Sequence, residues 1–478
     1  MMRFIRPLLL VIVFFTISIG NAATNKHEIK IIIGGDFQDT AVLLTSYFGE
    51  RIKIIDTAYS LKKGEFVFSG KNKLAGGIYM VVSIEKKKLF EFVVGENQRF
   101  TLRTNKPDYT ADMKVKGSDE NKLFYKYLLY NEKQFNKNKQ LIKEKDSLLA
   151  LNEDVTNVIT QQKLLKEETT DYKISTINGN KGTFVSALLN SMREIEIPDS
   201  IKNSADSTLS YKYFKQHYWD YIDLSDSTLL RTPVYTRKID RYFEQLVMHH
   251  PDSVISAIDL IIAKSRPSDE VTGYLVWYFL SEYQNPKYMG FDKVFVHLVD
   301  EYFRKETISN TTPSILESLN ERADKIRPIL LGKQAPNLNL IDTLGNFISF
   351  NNITSNYSVL FFWDSDCGIC SKEIIELNKL YHKTDFDFEV FAINVNSDQD
   401  KWKKSIIEKS VPGINVNGTR STTKDFHDLY DIYGTPVIYV LDKDKKIIAK
   451  RVGVIQLPEL FEAYEKKQLY IKKQALKQ

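Results

Sequence analysis

Two residues carry the candidate chemistry of this chain: Cys367 and Cys370, the only cysteines among its 478 residues. A C-x-x-C spacing permits one intramolecular disulfide. The stretch before it, Ser358-Val-Leu-Phe-Phe-Trp363, is a continuous apolar run of the kind a buried central strand requires. The stretch after it, SKEIIELNKLYHK, has helical periodicity. The first cysteine is therefore expected at a helix N-terminus, where unpaired backbone N–H groups and the helix dipole favour thiolate over thiol. The second lies one turn on, within reach of the first. This arrangement suits thiol–disulfide exchange: Cys367 attacks a substrate disulfide, and Cys370 resolves the mixed disulfide. A structural zinc site takes about four ligands. The chain has no second C-x-x-C, and its 7 histidines form no H-x-x-x-H-like cluster, so no metal is expected. No motif asks for a cofactor.

The elements that must position these sulfurs occupy the last third of the chain. NLNLIDTLGNFISF reads as two strands about a turn, FEVFAINVN as a second buried strand, and DKWKKSIIEKS and TKDFHDLYDIY as helices. TPVIYVLD and KIIAKRVG form a hairpin about Asp442–Lys445, and LPELFEAYEKKQLYIKK closes with a helix. The order describes a mixed sheet covered by helices. Gly434-Thr435-Pro436-Val437 falls just before the penultimate strand.

On these motifs, residues 329–478 resemble a thioredoxin-fold domain of the TlpA/ResA-like (AhpC/TSA-related) envelope thiol–disulfide oxidoreductases. The opening Gly332-Lys333-Gln334-Ala335-Pro336, Phe362-Trp363 before the C-x-x-C, and a strand–helix insertion over 388–418 are similar to that family. The resemblance implies a redox disulfide between Cys367 and Cys370. It implies a cis Pro436 packed against that disulfide, and a Thr435 that offers its backbone to substrate. Trp363 takes an auxiliary place. Glu373 matches an acidic position that tunes the thiols; the plainer alternative is a solvated glutamate in the first turn of a helix.

The sequence departs from the family pattern at several points. Asp366 stands where an aromatic residue usually precedes the first cysteine, with Asp364 close by. Phe361 occupies the place of the buried acid of thioredoxin, and no proline precedes Cys370. Negative charge beside Cys367 disfavours the thiolate and makes the dithiol less stable relative to the disulfide. A reductant or a weak isomerase is expected, rather than a strong DsbA-like oxidant. A thiol peroxidase of the P-x-x-x-T-x-x-C pattern is disfavoured, because those positions hold Leu360 and Asp364.

The rest of the chain adds context without a second catalytic constellation. Residues 1–22 have basic Arg3 and Arg6, an apolar run over 8–19 and small residues Gly20 and Ala22. This is the pattern of a cleaved signal peptide, and it predicts export, on a Gram-negative reading into the periplasm, with no membrane span left in the mature chain. Residues 23–116 are short Val-, Ile-, Phe- and Tyr-rich runs punctuated by glycine, which predicts an all-β, sandwich-like domain. Residues 117–328 carry apolar residues at helical spacing and predict an all-α domain. Within it Tyr211, Tyr213, Tyr218 and Tyr221 read as packing rings, and His249-His250 as a contact at a helix C-terminus. More loosely, in order and texture, both regions resemble uncharacterised modules placed before such domains in Gram-negative envelope proteins. The fold class expected is thus multidomain: all-β, then all-α, then an α/β thioredoxin fold.

A formal net charge of +5, two of it from Arg3 and Arg6, excludes a nucleic-acid footprint. The partners expected are a disulfide-containing client protein and an upstream thiol electron donor. The competing class is a non-enzymatic envelope scaffold whose front domains bind and whose thioredoxin fold is a spacer.

Overall fold

Alternation of apolar and polar residues sets the first strands. In His27–Gly34 (β1) the side chains of His27, Ile29, Ile31 and Ile33 are buried in turn. The computed structural model describes residues 26–475, so the leader expected over residues 1–22 lies outside the described residues. The described chain divides after Tyr242 into two units.

The first unit continues with β2 (Ala41–Phe48), β3 (Arg51–Tyr59), β4 (Glu65–Gly70), β5 (Gly77–Ser83), β6 (Lys88–Val94), β7 (Arg99–Asn105) and β8 (Lys114–Lys116). They form two four-stranded sheets, ordered β4-β1-β7-β8 and β3-β2-β5-β6. Phe92 of β6 meets Phe100 of β7 edge to face, with ring centroids 5.9 Å apart, so the sheets share an apolar core as a sandwich must.

Helices α1 (Asp119–Ala150), α2 (Thr156–Gly179), α3 (Phe184–Ser191), α4 (Asp199–Lys202), α5 (Thr208–His217) and α6 (Val234–Gln245) follow. The hydroxyl of Ser118 caps α1. The buried carboxamide of Asn121 ties α1 to β6: it accepts from Val93 N at 2.9 Å and donates to Val93 O at 2.8 Å. Of the four tyrosines Tyr211, Tyr213, Tyr218 and Tyr221, only Tyr218 is fully buried, and Tyr211 is 48% exposed. Tyr218 is buried and donates to Lys238 O, whereas the Tyr213 ring lies 4.2 Å from that of His217.

The second unit opens with α7 (Pro251–Ser265), α8 (Asp269–Tyr283), α9 (Asp292–Leu298) and α10 (Pro313–Ile326). The helical stretch of the sequence is thus shared between both units. His250 does not end a helix as the sequence suggested. It caps the start of α7, its Nδ1 accepting from Asp252 N at 3.3 Å. The proline that follows explains this, since a fixed φ and a missing N–H suit the first helical position.

The remaining elements are β9 (Asn339–Asp342), β10 (Phe347–Ser349), β11 (Tyr357–Trp363), α11 (Gly368–Lys383), β12 (Phe388–Asn394), α12 (Gln399–Lys409), β13 (Ile414–Ser421), α13 (Phe426–Tyr430), β14 (Val437–Asp442), β15 (Ile447–Lys450) and α14 (Leu457–Ala475). One seven-stranded mixed sheet runs β10-β9-β13-β12-β11-β14-β15. Every residue of β11 is buried. Phe361 and Trp363 face one apolar layer with Cys370, Ile374 and Trp402; Leu360 and Phe362 face the other with Tyr430 and Tyr439. Burial of each large side chain of this kind contributes roughly 1.5–3 kcal/mol. Among the described residues no helix is long and apolar enough to cross a membrane.

Candidate active site

Strand pairing brings the C-x-x-C and the Thr435-Pro436 turn together. β14 runs antiparallel to β11 with Phe362 opposite Val437, so the exit of β11 and the entrance of β14 share one edge of the sheet. The exit leads through Asp364–Asp366 to Cys367; the entrance follows Pro436. Cys367 is the N-cap of α11, and its Sγ accepts from Cys370 N at 3.0 Å. The sequence expectation of a cysteine at a helix start is met in that detail.

Cys367 and Cys370 are joined as a disulfide with Cα atoms 5.2 Å apart. Cys367 is half-buried and Cys370 fully buried, so a second disulfide can approach only the first sulfur. The Thr435–Pro436 peptide is cis, and the Thr435 carbonyl oxygen lies 3.5 Å from Cys367 Sγ. Ile369, between the two cysteines, is 65% exposed, and Tyr433, two positions before Thr435, is 70% exposed.

The auxiliary residues fall into different places. Trp363 is wholly buried beneath the disulfide, in the layer that holds Cys370, and supports the site from inside. Glu373 is half-buried on α11, and its Oε2 accepts from Val454 N at 2.8 Å. It is thus anchored to the segment after β15 rather than free in solvent.

The two acids ahead of Cys367 are not bare charges. Asp366 pairs with Lys401 Nζ at 2.5 Å, and this hydrogen bond holds its carboxyl below the usual aspartate range. Asn396 Nδ2 donates to Asp364 at 3.2 Å and to Asp366 at 3.3 Å. Lys409 Nζ donates to Ser365 O at 2.7 Å and to Ser371 Oγ at 3.0 Å, which brings a second cation beside the loop. The cations offset much of the repulsion that Asp364 and Asp366 would exert on a thiolate.

Lys401, Lys409 and Asn396 were not singled out in the sequence. A signal did exist. β12 pairs parallel to β11 with Asn394 opposite Trp363, so the segment leaving β12 must emerge at the same sheet edge as the C-x-x-C. Ligands and chemistry in α/β sheets gather at the carboxyl ends of parallel strands.

Comparison with known proteins agrees with this geometry. Residues 331–450 match the AhpC/TSA family, residues 27–124 a domain of unknown function (DUF4369), and residues 155–325 another (DUF5106). A thiol-disulfide oxidoreductase ResA of Bacillus cereus is 27% identical over 153 residues, covering 30% of this chain and 82% of that protein. The ResA of Bacillus anthracis is 27% identical over 146 residues, with the same coverage of 30% and 82%. A crystal structure of a domain of a possible thiol-disulfide isomerase from Cytophaga hutchinsonii ATCC 33406 shares 40% identity, covering 30% of this chain and 98% of that one, with a TM-score of 0.27. Residues 331–450 are therefore a thioredoxin-like domain of the AhpC/TSA family, of the TlpA/ResA-like thiol-disulfide oxidoreductase type.

Proposed function

We propose that this chain is an exported thiol–disulfide oxidoreductase that reduces or isomerises protein disulfides with the Cys367–Cys370 dithiol. In the reduced protein the Cys367 thiolate attacks one sulfur of a client disulfide. The client S–S bond breaks, a mixed disulfide forms, and the departing client thiolate takes up a proton. Cys370, deprotonated, then attacks Cys367 Sγ. The second client thiol leaves, and the protein disulfide is restored with two electrons passed to the client. An upstream thiol donor returns those electrons in the same way.

The observation that carries this reading is the asymmetry of the pair: a half-buried sulfur at a helix N-cap, 3.5 Å from the Thr435 carbonyl, backed by a fully buried second sulfur. The Thr435-Pro436 turn offers backbone to an extended client segment, and Ile369 and Tyr433 offer it apolar surface. Glu373, one turn beyond Cys370, adjusts the acidity of the thiols. The direction is reduction or isomerisation rather than strong oxidation, because Asp364 and Asp366, though partly compensated by Lys401 and Lys409, add no stabilisation of the thiolate beyond that of the helix N-terminus.

The leader pattern over 1–22 supports a location in the periplasm or cell envelope. The chain then works as three parts: a β-sandwich-like part to residue 116, a helical part to 328, and the thioredoxin-like part. Reduction of insulin, followed against Cys367→Ser, tests the reading. Turnover by the wild type alone supports it. No turnover, or equal turnover by the variant, favours a binding protein with the thioredoxin fold as spacer. Consumption of hydrogen peroxide without disulfide reduction favours a thiol peroxidase.

A further inference from the structure

Asp431 ends α13, four positions before Thr435, with a left-handed backbone (φ 54°) and a buried side chain. Two guanidinium groups hold its carboxylate. Arg451 donates to Asp431 Oδ2 at 2.8 Å and to its carbonyl oxygen at 2.9 Å. Arg322, from α10 in the helical part, donates to Oδ1. The Arg322 guanidinium also lies 5.7 Å from the ring centroid of Tyr433, the exposed aromatic residue between Asp431 and Thr435. Lys325, one turn on along α10, pairs with Asp428 of α13 at 2.8 Å.

A second grip lies at the same corner. Lys450 of β15 is buried, donates to Ile329 O at 2.7 Å and pairs with Asp292 of α9. Helix α10 therefore holds the base of the loop that ends in Pro436, while α9 holds the neighbouring strand β15. Nothing in the exchange chemistry requires these contacts, and a thioredoxin-like domain by itself would lack Arg322, Lys325 and Asp292. A cavity of about 390 Å³ at this corner is lined by Arg322, Asp431, Lys450 and Arg451 among others.

We infer that Arg322 is a positioning residue for client binding. It fixes Asp431 and Tyr433 so that the Tyr433–Pro436 loop presents its backbone and apolar ring to an extended client beside Cys367. The helical part thus shares in setting client affinity. This inference rests on the redox reading above.

The test is steady-state reduction of a disulfide-bonded peptide by the full chain, comparing wild type with Arg322→Met and Arg322→Lys. Methionine keeps an unbranched apolar stem without the charge; lysine keeps the charge without the forked geometry. The expected result is a KM raised about fivefold in R322M with kcat changed less than about twofold, as for a displaced binding loop with intact sulfurs. R322K should fall between the two. Circular dichroism and a thermal melt establish the folded fraction to which the rates are normalised. A KM in R322M within about twofold of the wild type, or a loss that disappears on that normalisation, overturns the inference while leaving the redox reading intact. A wild type that fails to reduce the peptide overturns the redox reading, and this inference with it.

Discussion

The carbonyl oxygen of Thr435 stands 3.5 Å from the Sγ of Cys367 although the two residues are 68 positions apart in the chain. The contact follows from the antiparallel register of β11 and β14, in which Phe362 faces Val437. A client strand lying along Thr435 would bring its own sulfur to the one sulfur of the pair that solvent reaches. From this relationship the order of events in exchange, and the distinct roles of the two cysteines, can be tested residue by residue.

The first prediction separates attack from resolution. Cys367→Ser should lower client reduction by at least about two orders of magnitude, since the nucleophile is removed. Cys370→Ser should instead accumulate mixed disulfides on Cys367, seen as bands on non-reducing gels that vanish with dithiothreitol. Mixed disulfides that form through Cys370 in the Cys367→Ser variant would reverse the assignment.

The second concerns charge beside the nucleophile. Lys401 holds the Asp366 carboxylate below the ordinary range. Lys401→Ala removes the ion pair of that anion near Cys367 and should move thiol alkylation to higher pH; Asp366→Asn should move it to lower pH. Both groups are exposed and screened, so the change in alkylation rate at neutral pH should be about twofold to threefold. Iodoacetamide trapping of the reduced protein across pH measures it. Shifts of the same sign in both variants would contradict the account.

For Glu373, two substitutions separate structure from charge. Glu373→Ala removes the acceptor for the Val454 N–H and should cost about 1–3 kcal/mol in urea unfolding. Glu373→Gln keeps an oxygen acceptor and should recover most of that stability while changing the pH dependence of exchange. An unchanged pH profile in Glu373→Gln would reduce the residue to a structural tie.

Trp363→Ala is expected to act through stability. The ring is fully buried in the layer that holds Cys370, and its removal should cost about 3–5 kcal/mol. A variant of wild-type stability with lost client affinity would place the ring in binding instead.

Alkaline conditions should destabilise the second unit. Tyr357, Tyr381 and Tyr464 have their hydroxyl pKa values pushed up to about 12, first of all by burial. An unfolded tyrosine ionises at about pH 10. The folded state therefore holds protons that the unfolded state has released. The stability these groups confer is complete below the unfolded value and is lost as pH rises through about 10 toward 12. The thermal midpoint should fall over that range, and Tyr381→Phe should flatten the fall.

Much of this was legible in the sequence, where local pattern decides the outcome. The apolar run over 358–363 became a fully buried strand, Cys367 became a helix cap, and the proline-bearing turn at 436 met the disulfide. The leader at 1–22 is a matter for the sequence alone. Contacts set by tertiary approach were not legible. The sequence shows Asp364 and Asp366 as acids near a thiol, but not Lys401 and Lys409 folded back from α12 to meet that loop. Nor does it show Arg322 meeting Asp431, a pair 109 residues apart on two elements with no shared motif. His250 was misplaced because its role depends on which of two neighbouring helices claims it, and Pro251 gave it to the second.

The central claim is that Cys367 and Cys370 interconvert between dithiol and disulfide as a working couple. Equilibration of the full chain with dithiothreitol buffers of graded potential, followed by alkylation and mass determination, measures this directly. The account predicts one two-electron transition with a midpoint well below the roughly −120 mV of the strong oxidant DsbA, nearer the reducing range of about −270 mV typical of thioredoxin. A pair that stays oxidised at every potential, or a midpoint near −120 mV, would contradict it.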